Sequence, residues 1–278
     1  MKLSVVTVCK NDAEGLKNTM ESVLLQTWTE FEYIVKDGGS TDGTKETAER
    51  FLPLFEKRGI PLKILSGEDE GIFDAMNKGA AESEGDWVMF LNAGDTLFAR
   101  STLKRIFEGR DWEGTDLLYG DVLEEEFGEY HYFRKSPGDI EERMPFSHQS
   151  VFARRELIRE YPFSPDYPIA ADYHFLLKCY CEGKIFTDCS VTVSVVTKDG
   201  VSSVCLKDTF AESVKIRRDL GLEHMDDKEI KKLEKITELK QAVSDYFPKG
   251  VLYAIRKAQF VLRGQKRVNY RRHEGHLV

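Results

Sequence analysis

The regular alternation of strand and helix patterns over residues 3–91 is the feature that most constrains the fold. Four short apolar runs have the length of buried strands: Leu3–Cys9, Phe31–Lys36, Pro61–Leu65 and Trp87–Leu91. Between them, apolar residues recur at helical spacing in Ala13–Gln26, Asp42–Lys57 and Ile72–Ser83. This β-α-β-α-β-α-β order requires a mostly parallel sheet covered by helices and joined by right-handed crossovers. The sequence therefore predicts an α/β fold.

The second half of the chain has a less regular pattern. Strands are predicted as a pair within Asp116–Tyr132, at Ser150–Phe152 and within Ile185–Val196. Helices are predicted at Arg154–Glu160, Ala170–Cys181, Leu206–Leu220, Asp227–Tyr246 and Gly250–Arg263. The last three helices form a separate C-terminal segment, residues 206–278.

Polar residues gather at the ends of the predicted parallel strands, where ligands bind in open α/β sheets. These ends are Thr7–Asn11, Lys36–Gly39, Ser66–Gly71 and Asn92–Asp95. No GxxxxGK[ST] occurs and no GxGxxG follows the first strand, so phosphates are not held by either of these glycine-rich loops. Acidic strand ends instead favour Mg²⁺ or Mn²⁺, which takes one or two carboxylates plus substrate phosphate oxygens.

The charge is distributed unevenly along the chain. The net charge is −8, yet residues 249–273 carry eight Lys or Arg and no Asp or Glu. This basic tail predicts a polyanionic partner. Its apolar residues fall near one helical face, which favours peripheral contact with an anionic membrane. Nucleic acid is disfavoured because few aromatic residues are available for base stacking. The alternative is a helix packed on the acidic body or on a partner subunit, so an oligomer remains open.

Cellular location is predicted from three absences. The N-terminus lacks the long apolar region of a signal peptide and reads as a strand. No apolar run approaches the ~18 residues of a membrane-spanning helix. The five cysteines are odd in number and include no CxxC pair, which favours free thiols in a reducing compartment. We therefore expect a cytoplasmic protein, peripheral at the inner face of the membrane.

Two segments carry a resemblance to a known family. IVKDGGSTDGT (Ile34–Thr44) and SGEDEGIFDAMNKGAAESEGDWVMFLNAGD (Ser66–Asp95) resemble the family 2 glycosyltransferases of GT-A fold. The resemblance covers roughly Lys2–Val204. It implies a GT-A domain at residues 1–205, with a nucleotide-sugar-binding half at 1–95 and an acceptor half at 96–205.

The resemblance also implies an activity. Family members of this kind are inverting enzymes that move a hexose or N-acetylhexosamine from a nucleotide diphosphate sugar to an acceptor hydroxyl, with Mn²⁺ or Mg²⁺ as cofactor. The acceptor implied is a saccharide or a lipid-linked sugar in cell-surface polysaccharide synthesis. A UDP-sugar is the expected donor, because Asp37 matches the acid that accepts from the uracil N3–H; a dTDP-sugar offers the same group.

Site residues carry over only at matching positions. Asp172, in AADYHFLL (Ala170–Leu177), matches the general base, and Asp95 matches the metal-binding end of the family's DXD-type motif. The predicted donor-binding residues are Thr7, Cys9, Asn11, Asp37, Asp69, Asp74, Asn77, Lys78, Asn92 and Ala93. The predicted acceptor residues are His148 and Gln149.

The chain departs from the family pattern at several of these positions. Lys36 precedes Asp37 where relatives often have a second acid, and Met76 stands where many have Arg. Asn92 and Gly94 occupy metal-motif positions, so Asp95 is left as the one anionic ligand. We therefore expect the metal to depend more on the diphosphate.

Structural roles are the alternative for several of these residues. Asp37 would satisfy backbone donors of the Gly38-Gly39 turn. Asp74 and Asp172 lie near predicted helix starts, where the helix dipole alone favours a carboxylate. Asn77 and His148 would serve as hydrogen-bonding residues of the core. At the level of function, the alternative is a non-catalytic nucleotide-sugar-binding or phosphoacceptor-like module, which would show affinity without release of nucleoside diphosphate.

Overall fold

The computed structural model describes residues 2–126, 128–133, 137–197, 205–247 and 251–252. The elements follow in this order: β1 (Leu3–Cys9), α1 (Ala13–Leu24), β2 (Phe31–Asp37), α2 (Thr44–Lys57), β3 (Leu62–Ser66), α3 (Ile72–Ala81), β4 (Trp87–Phe90), β5 (Thr96–Leu97), α4 (Thr102–Phe107), β6 (Leu117–Glu126), β7 (Glu129–Phe133), β8 (Val151–Arg154), α5 (Arg155–Glu160), α6 (Ala171–Cys181), β9 (Phe186–Thr197), α7 (Leu206–Asp219) and α8 (Asp227–Tyr246). Two short 3₁₀ turns, Pro137–Asp139 and His148–Ser150, lie between β7 and β8.

Within these residues, nine strands form one sheet in the order β3-β2-β1-β4-β8-β6-β9-β5, and β7 pairs with β6. β1 runs parallel to both β2 and β4, and β2 runs parallel to β3. The predicted α/β fold with its parallel first half is therefore confirmed. β8 runs antiparallel to both β4 and β6, which makes the sheet mixed in the second half.

The core lies on both faces of the sheet, because alternate residues of each buried strand point to opposite faces. Leu3 and Val5 of β1 belong to a cluster that includes α1, α2 and α4. Val6 and Val8 belong to a second cluster with α3, α5 and α6. Because both faces are covered, the strands read as continuous apolar runs.

Two elements were not predicted from the sequence. β5 has two residues and pairs with β9, and α4 has six residues. Elements this short have too few residues to show a period, so they form only because the rest of the fold supplies their partners. The range Ile185–Val196, predicted to hold strands, is one strand, β9, whose pairing with β6 shifts register near Asp121. The predicted helix Gly250–Arg263 lies almost entirely outside the described residues.

The C-terminal helices differ in how deeply they pack. α7 buries Val214, Ile216 and Arg217, whereas Ile230 is the one buried side chain among the residues of α8. The start of α8 is fixed by a capping box between Asp226 and Glu229. Along the described part of the chain, none of the helices combines the length and apolar character that a membrane crossing needs.

Candidate active site

One edge of the sheet collects most of the predicted site residues. The carboxyl ends of β1, β2, β3 and β4 lie there because these strands are parallel and in register. β8 is antiparallel to β4, so the His148–Ser150 turn that precedes it returns to the same edge. The candidate site therefore has two parts: one at β1–β3, where the donor is predicted to bind and which is called the donor side, and a central part between β4 and α6.

On the donor side, a cavity of about 250 Å³ opens beside the ends of β1 and β2 and the start of α3. It is lined by Val8, Cys9, Lys10, Gly38, Asp69, Gly71, Ile72 and Ala75. Apolar and backbone surfaces make up most of its walls, and the Asp69 carboxylate is held in place by its ion pair with Lys36. A cavity of this kind suits a flat, partly apolar group such as a nucleobase.

Asp37 and Cys9 end the two strands beside this cavity. Asp37 is 1% exposed, and its carboxylate oxygens accept from the Ser40 backbone N–H at 3.2 and 3.3 Å. This contact matches the alternative in which Asp37 stabilises the turn after β2. Contact of Asp37 with a nucleobase stays a prediction. Burial, then the charges of Asp37 and Asp12, raises the pKa of the Cys9 thiol to about 12. Cys9 is therefore protonated at neutral pH, which suits a wall of the cavity and not a nucleophile.

Thr7 and Asn11 lie on either side of the strand end. Thr7 is fully buried; its Oγ1 donates to the Leu91 carbonyl at 2.6 Å and accepts from the Tyr33 hydroxyl at 2.9 Å. Asn11 has a φ of 53°, and its Oδ1 accepts from the Thr41 backbone N–H at 2.8 Å. Thr7 thus links β1 to β4, and Asn11 links the end of β1 to the turn after β2. Their predicted contacts with the donor stay predictions.

Lys36 lies at the buried end of a charge network beside the cavity. Its Nζ donates to Asp69 Oδ2 at 2.7 Å, to the Gly67 carbonyl at 2.7 Å and to the Asp37 carbonyl at 2.9 Å. The side chains of Lys36 and Asp69 are only 5% and 6% exposed. Lys36, which departs from the family pattern, therefore forms an ion pair with Asp69 in the loop that follows β3.

The same network continues toward the surface through Lys78. Lys78 Nζ bonds Asp69 Oδ1 at 3.0 Å and Asp74 Oδ2 at 2.7 Å. The hydrogen bond from Lys78 lowers the pKa of Asp74, and the bond to Asp74 raises the pKa of Lys78. Three predicted donor contacts thus belong to one network with paired charges, in which Lys78 is the most accessible, at 45%.

Asn77 lies on the other face of α3 and uses both ends of its amide on one residue. Its Nδ2 donates to the Phe163 carbonyl at 2.8 Å, and its Oδ1 accepts from the Phe163 N–H at 3.0 Å. This geometry matches the structural alternative for Asn77, since it joins α3 to the segment before α6.

The Asn92–Asp95 turn forms the floor of the central part. Asp95 is 5% exposed; Oδ2 accepts from Gln149 Nε2 at 2.9 Å and Oδ1 from the Thr197 N–H at 3.3 Å. Gly94 has a φ of +92°, which few other residues adopt, and this turns the chain at the strand end. Ala93, half-buried, packs against the core beneath the turn.

A chain of hydrogen bonds joins this turn to α6. Asn92 Nδ2 lies 3.3 Å from His148 Nε2, and His148 Nδ1 lies 2.8 Å from Asp172 Oδ2. With Asp172 ionised and His148 neutral, Nδ1 carries the proton and Nε2 accepts from the Asn92 amide. The Tyr173 N–H donates to Asp172 Oδ1 at 2.8 Å. His148 and Asp172 are 20% and 18% exposed, so both remain within reach of a ligand.

The oxygen atoms of this turn fit a divalent cation that takes most of its ligands from the substrate. Asn92 Oδ1 is buried and has no hydrogen-bond partner among the described residues. Together with the Asp95 carboxylate it offers two hard oxygen ligands, the type that Mg²⁺ and Mn²⁺ prefer. In the part of the chain that the structure describes, no three His, Cys, Asp or Glu side chains are grouped to hold a metal. The remaining ligands would have to come from phosphate and water.

Two residues of the site were missed from the sequence. Thr19 Oγ1 donates to the Asp95 carbonyl at 2.7 Å and accepts from the Gly94 N–H at 3.0 Å, so it fixes the turn from α1. Thr197, at the end of β9, donates its N–H to the Asp95 side chain. For Thr19, the one available signal in the sequence was a threonine on the buried face of α1. For Thr197 the sequence held no signal, because the contact is made by its backbone N–H.

The family of the chain follows from comparison with known proteins. The model of the family described as "Glycosyl transferase family 2" matches residues 4–164. This span contains the strand ends β1–β4, the Asn92–Asp95 turn and the His148–Ser150 turn. The chain belongs to glycosyl transferase family 2, and it is a glycosyltransferase.

Individual relatives agree with this assignment. A PGL/p-HBAD biosynthesis glycosyltransferase of Mycobacterium bovis is 32% identical over 228 residues, covering 79% of this chain and 86% of the relative. Glycosyltransferase AglE of Haloferax volcanii is 32% identical over 122 residues, which cover 43% of this chain and 39% of AglE.

Solved structures confirm the GT-A fold. S. aureus TarS 1-349 in complex with UDP has a TM-score of 0.63 at 19% identity, covering 83% of this chain and 68% of that chain. The mannosyltransferase PcManGT from Pyrobaculum calidifontis, in complex with GDP-Man and Mn²⁺, has a TM-score of 0.61 at 18% identity. This match covers 94% of this chain and 80% of PcManGT.

Proposed function

We propose that this protein transfers a hexose or N-acetylhexosamine from a UDP-sugar to an acceptor hydroxyl with inversion, using Asp172 as general base. The observation that carries the proposal is the hydrogen-bond chain Asn92–His148–Asp172. It joins the turn suited to a diphosphate with a carboxylate suited to deprotonate a hydroxyl. Such a juxtaposition is what a one-step displacement requires.

The donor is proposed to lie along the strand ends. The nucleobase of the donor occupies the cavity beside Cys9 and Gly38, with Asp37 at the end of β2. The diphosphate extends toward Asn92. UDP as the carrier is supported by TarS, which binds UDP and UDP-GlcNAc in its complexes. GDP is the competing carrier, because PcManGT was solved with GDP-Man.

Asn92 and Asp95 would hold Mn²⁺ or Mg²⁺ together with the diphosphate, and the PcManGT complex with Mn²⁺ supports this. When bound, the ion would offset the negative charge that builds on the departing diphosphate. Gln149 would keep Asp95 in place through the 2.9 Å bond to Oδ2. In this proposal Gln149 acts on the metal motif as well as on the acceptor side.

Asp172 would take the proton of the acceptor hydroxyl as that oxygen bonds to the anomeric carbon and the bond to the diphosphate breaks. The Tyr173 N–H and His148 Nδ1 each hold one of its oxygens, so the carboxylate has a fixed orientation. Each oxygen keeps a lone pair for the substrate. Because the nucleophile is the acceptor itself, a single displacement gives inversion.

The acceptor is proposed to be a saccharide or lipid-linked sugar in cell-surface polysaccharide synthesis. The basic residues 249–273 would then keep the enzyme at an anionic membrane, where each Lys or Arg contributes ~1 kcal/mol. Flotation with anionic vesicles tests this part. Deleting residues 249–278 should abolish co-flotation, and vesicles of neutral lipid are the control. A full-length protein that stays unbound at low salt contradicts the membrane contact.

The central test is release of nucleoside diphosphate from a panel of UDP-, dTDP- and GDP-sugars, with Mn²⁺ or with EDTA. We expect release with a UDP-sugar and Mn²⁺ and loss of release in EDTA. Thermal shift with the same panel measures binding separately. Affinity without release for every sugar would favour the non-catalytic binding module instead.

A further inference from the structure

The start of α6, the helix that carries Asp172, is capped by a residue from a distant helix. Ala170 occupies the N-cap position and has no side chain that can accept a hydrogen bond. Helix N-termini leave backbone N–H groups that need an acceptor. Glu212 of α7 holds the chain where it enters the helix: its Oε2 accepts from the N–H of the N-cap residue Ala170 at 2.8 Å and from the preceding Ile169 N–H at 3.0 Å.

Other residues of the same face of α7 hold the segment just before α6, residues 166–170. Lys215 Nζ donates to the Asp166 carbonyl at 3.2 Å and lies 4.9 Å from the ring centroid of Tyr167. The Tyr167 hydroxyl donates to Asp219 Oδ2 at 2.7 Å. Glu212, Lys215 and Asp219 recur at helical spacing, so one face of α7 contacts the 166–170 segment along its length.

A neighbouring face of α7 contacts the chain that leads toward His148. Arg217 is 4% exposed, donates to the Glu142 carbonyl at 3.0 Å and pairs with Glu223 at 3.0 Å. A buried arginine of this kind needs its partners in place, because unpaired it would be strongly destabilising. α7 is therefore packed against both segments that lead to the central part of the site.

We propose that Glu212 is a positioning residue for catalysis: through the start of α6 it fixes the place of Asp172 relative to the donor. α7 is then part of the working enzyme and not a mere appendage to residues 1–205. This inference rests on the proposed role of Asp172. Its physical reason is that a misplacement of a catalytic group by about 1 Å can cost 10²-fold in rate.

The test compares Glu212→Ala with Glu212→Gln, whose amide oxygen can still accept, and with Asp208→Ala, which removes an exposed acid from the same helix. We expect kcat for transfer to fall about 10- to 100-fold in Glu212→Ala. It should stay near wild type in Glu212→Gln and Asp208→Ala. Donor Kd from calorimetry should stay unchanged throughout, because the contacts of Glu212 with described residues are at Ile169 and Ala170 and not at the predicted donor-binding residues.

A second readout does not depend on activity. Amide hydrogen exchange should speed up in residues 166–173 of Glu212→Ala and remain as in the wild type in residues 31–44. A wild-type protein that releases no nucleoside diphosphate would refute the proposed function, while the exchange result would still decide whether Glu212 holds the start of α6.

Three results would overturn the inference: an unchanged kcat in Glu212→Ala, a donor Kd that rises in parallel with the loss of kcat, or unchanged exchange at residues 166–173. If Glu212→Ala does not fold, Tyr167→Phe removes only the hydrogen bond to Asp219 and keeps the ring. A several-fold loss of kcat in Tyr167→Phe with unchanged donor Kd supports the inference, and a wild-type kcat contradicts it.

Discussion

The proposed donor side and the central part of this site, where the acceptor is proposed to bind and which is called the acceptor side, are built in different ways. On the donor side, consecutive strands in parallel register place Asp37 and Lys36 near Asp69, and Lys36 and Asp69 form an ion pair within that half. On the acceptor side, His148 and Asp172 come from an irregular turn and a helix start, and they are held by contacts from elsewhere. The donor side therefore follows from the regular strand–helix alternation of the first half, whereas the acceptor side depends on contacts from elements outside that alternation. The predictions below test this contrast.

The largest effect is expected for Asp172→Asn. Loss of a general base typically costs 10²–10⁴-fold, so turnover should fall by about that much. Donor affinity should persist, because the predicted donor contacts lie within residues 7–95. Turnover and donor calorimetry are measured side by side, with the exposed Asp166→Asn as control. Loss of donor binding in Asp172→Asn would show that the two sides are not separable.

Lys36→Met should have the largest effect on folding. It leaves Asp69, 6% exposed, without its buried partner, and breaking such a pair costs about 3–5 kcal/mol. Lys78→Met is the matched control, because Lys78 bonds the same carboxylate but is 45% exposed. Its loss should cost at most about 1 kcal/mol. Denaturant unfolding measures both, and equal losses would refute the special role of the buried end.

Gln149→Ala probes the contact between the two sides, because Gln149 donates to Asp95. Residues that hold a metal ligand typically contribute 10–100-fold to metal affinity or activity. We expect the Mn²⁺ concentration for half-maximal activity to rise by roughly that factor, and Asp95→Ala to be inactive. Glutamate in place of Gln149 should be worse than alanine, since it would repel Asp95. Unchanged Mn²⁺ dependence in Gln149→Ala would remove the link.

The smallest effect concerns a buried charge of the donor half at the opposite edge of the sheet. Burial raises the pKa of Glu32, but bonds from Ser4, the Glu84 N–H and Lys63 outweigh it and leave the pKa below 4.5. Because the folded pKa is depressed, this stabilisation is full above the unfolded pKa and is lost as the pH falls through the folded one.

Glu32→Gln should therefore flatten the loss of unfolding free energy as the pH falls into the acid range where Glu32 titrates. Chemical unfolding of the wild type and the variant at pH 3–7 measures this slope. The variant also loses its ion pair with Lys63, so the slope and not the absolute stability is the readout. Parallel curves would show that Glu32 keeps the same pKa in both states.

The parallel half of the fold, and the gathering of the candidate site residues at its strand ends, could be predicted from the amino-acid sequence alone. Apolar runs and helical periodicity predicted the bounds of these strands and helices to within a residue or two. They could do so because both faces of the sheet are buried, which makes the strands continuously apolar. The motif Asn92–Asp95 could be placed for the same reason, since it follows a buried strand. These features depend on neighbours along the chain, and a sequence displays such neighbours.

The pairing of side chains within the site, by contrast, could not be predicted from the sequence and follows from how the elements pack. The sequence placed Asp69 among the predicted donor-binding residues, and the fold pairs it with Lys36, which lies 33 positions away. It placed Gln149 with the acceptor, and the fold brings its amide to Asp95. Glu212 had no signal at all, because the donors that it accepts from are backbone N–H groups, which every residue but proline carries. Long-range polar contacts leave little trace in composition or in hydrophobic periodicity, so the partners within this site are defined by the packing of the folded chain.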